Sequence, residues 1–87
     1  MLEIELSRHA LLRLHRRGLD LSWVEEVVRH PEWSQPDRND PQLERRFGRI
    51  EAMGGRALRV VVLPITAQKC RVVTAFLDRD ARESTAP

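Results

Sequence analysis

The sequence contains one cysteine, Cys70, in 87 residues, so no internal disulfide can close and no cysteine-based metal cluster can form. A single thiol fits a reducing compartment. Tyrosine is missing, and the aromatic residues are two tryptophans and two phenylalanines, which removes a phenolic proton donor from any chemistry the chain performs. Long apolar runs are missing too. The longest, around Val60 to Pro64, falls far short of the roughly 18 residues that cross a bilayer. The opening MLEIEL carries acids where a secretory leader carries a basic segment and an apolar core. The expectation is a cytoplasmic protein without membrane contact. There is no glycine-rich phosphate loop and no glycine-serine nucleophile elbow. His9, His15 and His30 do not form a helix-borne zinc pair, and a site built from them would need all three to converge. Neither a metal nor a cofactor is expected.

What remains is a small globular chain: 41% apolar and 32% charged residues, enough for one thin core and too little for two. Net charge is only +2, yet the cations are 14 arginines and one lysine, Lys69. Arginine carries a rigid planar fork of donors that matches phosphate and carboxylate. A GC-rich genome produces the same skew, so position matters more than number. Residues 8–17 hold Arg8, Arg13, Arg16, Arg17, His9 and His15 and no acid.

Alternation of Leu2, Ile4 and Leu6 with Glu3 and Glu5 reads as a short strand or an extended lead-in. Ser7 can cap a helix from Arg8 to about Arg17, ended by Gly18. Its Ala10, Leu11 and Leu14 form an apolar stripe, and His9, Arg13 and Arg16 share a neighbouring face. Asp20 opens a second helix, with Leu19 and Val24 at staple spacing and Leu21, Val24, Val27 and Val28 facing inward. Pro31 stops it near His30. Pro31 to Gln42 reads as a connecting loop pinned by Trp33. A charged strand from Leu43 to Ala52 follows, then a Gly54–Gly55 turn, a valine-rich strand from Ala57 to Leu63, a turn over Pro64 to Gln68, and a last strand from Cys70 to Leu77. In that strand Cys70, Val72, Thr74 and Phe76 are expected on one face, and Arg71, Val73, Ala75 and Leu77 on the other. The prediction is one α+β domain over residues 1–79, with two N-terminal helices packed on a three- to four-stranded antiparallel sheet, and a flexible tail over 80–87. So small a domain exposes much of its sheet, which points to a macromolecular partner.

The run Ser7-Arg8-His9-Ala10, followed by Arg13, Arg17-Gly18-Leu19 and His30-Pro31, resembles the opening of a large bacterial family of small proteins described as a domain of unknown function. Arg45-Arg46-Phe47-Gly48-Arg49 and the closing Val72-Val73-Thr74-Ala75-Phe76 resemble its later strands, so the likeness spans about residues 5–77. That family is similar to the RelE and BrnT toxins of bacterial toxin-antitoxin modules. The resemblance implies a compact toxin-like fold, mRNA cleavage in some members, on or off the ribosome, and an antitoxin encoded nearby. It places His9 at the family's first-helix histidine, Arg13 and Arg17 at the following arginines, and Thr74 at the threonine of the last strand. Phe76 stands where relatives often have tyrosine.

RNA can be cleaved without metal when its own 2′-hydroxyl attacks the adjacent phosphate, given a base, cationic donors and an acid for the leaving oxygen. On that scheme His9 transfers the proton, Arg17 and Thr74 complete the catalytic group, and Arg13, Arg16, Arg46 and Arg59 hold RNA phosphate. The chain is then an endoribonuclease of a toxin-antitoxin module. The alternative is a non-catalytic RNA- or protein-binding module of the same shape. There, His9 stacks on the sheet, the helix arginines are a solvated or partner-binding face, and Thr74 is a packing choice in a strand.

Overall fold

In a computed structural model, which describes residues 2–82, the chain forms β1 (Glu3–Glu5), α1 (Arg8–Arg16), α2 (Leu21–Arg29), β2 (Trp33–Pro36), β3 (Glu44–Ile50), β4 (Arg56–Thr66) and β5 (Lys69–Leu77). A single 3-10 turn, Glu51–Met53, joins β3 to the glycine turn before β4. Both helices start where local chemistry predicts. The Ser7 hydroxyl accepts from the Ala10 amide at 3.0 Å, and Asp20 accepts from the Ser22 amide at 2.8 Å, each satisfying a donor that the first turn leaves free. Gly18 ends the first helix in the left-handed region at φ 67, a conformation without Cβ penalty.

The strands make one five-stranded sheet in the order β1-β5-β4-β3-β2, larger and less uniform than the expected antiparallel meander. β2 to β5 pair antiparallel, but β1 runs parallel to β5, with Ile4 opposite Cys70. The two helices between β1 and the rest of the sheet supply the crossover that parallel neighbours require. Glu5 anchors this edge through Lys69 at 2.7 Å and Arg71 at 3.0 Å. Lys69 first and Arg71 second hold its carboxyl below the usual carboxylate range. The segment read as a loop contains β2 because Trp33 stacks on Phe47, directly opposite in β3, with ring centroids 4.9 Å apart. The turn expected over Pro64 to Gln68 is shorter, since β4 continues to Thr66.

Both helices pack on one face. Leu14, Leu19, Val24, Val27 and Val28 meet Ile50, Leu58, Val60, Val62, Cys70, Val72 and Ala75 in a continuous core. Gly48 lets α2 approach β3 closely, since a Cβ there would lie 2.9 Å from a Val27 methyl carbon. The expected face assignment of β5 fails halfway along. Val72 pairs with Val62 and Thr74 with Val61, so Val73 is an inserted residue and the alternation flips. Ala75 therefore joins Cys70 and Val72 in the core, while Thr74 and Phe76 turn to the opposite face. Asp78 to Arg82 follow the sheet closely, with the Asp78 amide on the Ala57 carbonyl at 2.9 Å. The remainder of the expected tail, residues 83–87, lies outside the described residues. No described helix is long and apolar enough to cross a membrane.

Candidate functional site

On the face away from the helices, strand register sets side chains in two cross-strand rows. Gln35, Arg45, Val61 and Thr74 form one, and Trp33, Phe47, Arg59 and Phe76 the other. Alternation along each strand puts both rows on the same side. Trp33, Phe47 and Val61 are buried as a small apolar floor beneath longer polar side chains. The Arg59 guanidinium lies 4.5 Å from the Phe76 ring centre and 6.0 Å from that of Phe47, and Arg49 lies 5.1 Å from the Trp33 ring. These cations thus rest on the negative faces of the aromatic rings.

Above this floor is an open hollow of about 330 Å³, lined by Arg38, Arg45, Arg59, Arg82, Gln35, Phe47, Asp78, Asp80 and Ala81. Two of its arginines are held by carboxylates. Arg59 Nη2 donates to Asp78 at 2.6 Å, and Arg45 Nε donates to Asp37 at 2.9 Å. That bond from Arg45, aided by the Asn39 and Asp40 amides, keeps the Asp37 carboxyl below its ordinary range. Arg59 Nε and Trp33 Nε1 are buried without an acceptor among the described residues. Gln35 closes the rim by donating to the Arg82 carbonyl at 3.3 Å. The lining holds four arginines against two aspartates, so the hollow is net cationic and presents planar donor forks.

Of the residues chosen from sequence, Arg59 lies in this hollow. Arg17 and Thr74 do meet: Arg17 Nη1 donates to Thr74 Oγ1 at 3.1 Å and to the Ala75 carbonyl at 2.6 Å. Their position explains the contact. β1 covers β5 only along Lys69–Arg71, and beyond it the β5 edge has no strand partner among the described residues, so Arg17 closes an open carbonyl. His9 is exposed near the other end of α1, about 12 Å along the helix from Arg17 at 1.5 Å per residue. It does not line the hollow. Arg13 and Arg16 are exposed on α1. Arg46 faces the helices, donating to the Val28 carbonyl at 2.7 Å and to Glu44 at 2.7 Å, and so secures the end of α2. Cys70 is buried in the core, where desolvation raises its thiol pKa. Among the described residues no three His, Cys, Asp or Glu side chains gather as metal ligands.

Sequence reading missed Gln35, Arg38, Arg45, Asp78 and Arg82. The period-two set Arg45, Phe47, Arg49 held part of the signal, but which face it occupied depended on pairing with β2 and β4.

The sequence profile of a family described as Domain of unknown function (DUF4258) matches residues 6–77. No curated protein matches the chain, and no solved structure does.

Proposed function

The chain belongs to the DUF4258 family, whose description carries no activity, and from that premise we propose a toxin-like protein that binds single-stranded RNA in the arginine-lined hollow. The observation that carries this reading is the convergence of Arg38, Arg45, Arg59 and Arg82 with Gln35 over an aromatic floor, on the sheet face that no helix of the described residues covers. Guanidinium forks pair with phosphate oxygens, and a bound phosphate can take over the donors that Asp37 and Asp78 now occupy. Phe76 is half-buried on the same sheet face beside Arg59, and an aromatic ring in such a place can stack an unpaired base. In a toxin-antitoxin module this is the face an antitoxin would have to shield.

Affinity for a 12-nucleotide single-stranded RNA, measured by fluorescence anisotropy across salt concentrations, tests the reading. Binding that uses the hollow falls with salt at a log–log slope of about −0.7 per neutralised phosphate. Arg38→Ala, on an exposed side chain, should weaken binding and flatten the slope by about that amount. An RNA affinity that ignores Arg38 and Arg82 refutes this site.

The contact between Asp78 and Arg59 favours a second, catalytic reading of the same face. The Asp78 carboxylate accepts the 2′-hydroxyl proton, the freed oxygen bonds to phosphorus, and the bond from phosphorus to the 5′-oxygen breaks as that oxygen takes a proton from water. The products are a 2′,3′-cyclic phosphate and a 5′-hydroxyl, with Arg59 and Arg45 neutralising the developing charge. His9 has no part in this version because it lies off the hollow. Cleavage lost in Asp78→Asn with RNA binding retained supports it. Binding without cleavage by the unaltered chain leaves the binding module.

A further inference from the structure

The outer side of α1 carries a surface that RNA binding in the hollow leaves unused. Ala10 and Leu14 are the buried residues of this helix, and at 100° per residue they place Leu12 at the solvent-facing pole. Leu12 is 49% exposed and its neighbour Leu11 41%. Arg8 and Arg16 stand four residues before and after Leu12, and His9 and His15 three residues before and after, so all four adjoin it on the helix surface. The result is an exposed leucine ringed by cationic or protonatable side chains. From Leu6 to Leu19 the sequence has no acid. Ion pairs among the described residues engage Lys69, Arg45, Arg46, Arg49, Arg59 and Arg71, not the arginines of α1.

We infer that the outer face of α1 is a docking surface for an acidic amphipathic helix of a partner protein. An apolar centre inside a charged rim is the anatomy of a protein interface, in which the rim excludes water from the buried centre. A surface that only held phosphate would use the arginines and leave Leu12 in water. The positions i, i±3 and i±4 around Leu12 form a ridge that a second helix can straddle. Charge complementarity fixes the occupant's rim as Glu or Asp, and Leu12 fixes its centre as aliphatic. The surface lies across the sheet from the hollow, so this partner and RNA can bind together. The inference stands whether or not the hollow takes RNA.

The test uses the full chain and a labelled 16-residue helical peptide with leucines at i, i+3, i+4 and i+7 flanked by glutamates. A peptide of the same composition in scrambled order and a 12-nucleotide RNA serve as comparisons. The expected result is saturable binding of the patterned peptide, weakened at least about tenfold by Leu12→Asp. Because Leu12 is exposed, circular dichroism should show that variant folded. The double variant R8E/R16E should lose the acidic peptide and gain one carrying lysines in place of glutamates. Absent binding, equal binding of the scrambled peptide, or indifference to Leu12→Asp overturns the inference. RNA binding lost in R8E/R16E but unchanged in Leu12→Asp also overturns it, making the face a nucleic-acid surface.

Discussion

Replacing Gly48 with alanine should loosen the joint between α2 and the sheet, and its size can be worked from one distance. A Cβ at position 48 would stand 2.9 Å from Val27 Cγ2, inside any tolerable carbon–carbon contact. Val27 is almost fully buried, so it cannot swing into solvent. Relief requires either an off-rotamer valine or a shift of α2, and overpacking of this kind costs about 1–3 kcal/mol. Alanine restricts the unfolded chain more than glycine does, which returns about 0.4–1 kcal/mol. The net expectation is a loss of roughly 0.5–2 kcal/mol, read as a fall in melting temperature of about 4–8 °C per kcal/mol for a domain of this size. Val27→Ala alone should cost about 2 kcal/mol from lost burial and the cavity. In the double variant the new methyl occupies space the valine vacated, so the two effects should fall short of additivity by about 1 kcal/mol. Urea denaturation of the four proteins gives the cycle. Additive effects within about 0.3 kcal/mol, or an unperturbed Gly48→Ala, would show that this contact does not set the distance between α2 and the sheet.

Arg17→Ala should cost about 1–2 kcal/mol, because it leaves the Ala75 carbonyl on the open edge of β5 without its donor, whereas Thr74→Val keeps that bond and should cost less. Equal losses in urea denaturation would contradict the edge-closing role. Asp37 and Glu5 both have carboxyls lowered by cationic partners, Arg45 for the first, Lys69 then Arg71 for the second. Their contribution to stability is therefore complete above the unfolded carboxylate pKa of about 4 and is lost as pH falls through the lowered folded values. Asp37→Asn should flatten the fall in urea midpoint between about pH 5 and pH 3, and an unchanged acid limb would remove Asp37 from the account. Cys70 is buried with a raised thiol pKa, so a thiol reagent should modify it slowly in the native protein and quickly in urea. Comparable rates in the two states would contradict its burial.

Local chemistry made the helices legible. Ser7, Gly18 and Asp20 act within a few residues of themselves, and the 3.6-residue spacing of Leu14, Val24, Val27 and Val28 needs no knowledge of what they pack against. The Gly54–Gly55 turn and the valine run that follows it are short-range signals of the same kind. Arg17 and Thr74 were expected in one catalytic group, but their direct hydrogen bond was not, since the open edge of β5 that brings them together exists only because β1 stops at Glu5. Arg46 was expected to face RNA and faces α2 instead, a choice set by strand register that neighbouring residues do not encode.

The sequence by itself thus determined the helices, their caps, the glycine turns, the α+β class and the surplus of arginine. Tertiary structure decided the parallel pairing of β1 with β5, which joins residues 66 apart in the chain, and recruited β2 from an apparent loop through the stack of Trp33 on Phe47. It also inserted Val73 as a bulge that moved Ala75 into the core and Thr74 and Phe76 to the opposite face. The hollow is the sum of those decisions. Gln35, Arg45, Arg59 and Asp78 are scattered along the chain, and they converge because cross-strand pairing is a long-range interaction whose partner can be named only once the sheet has formed.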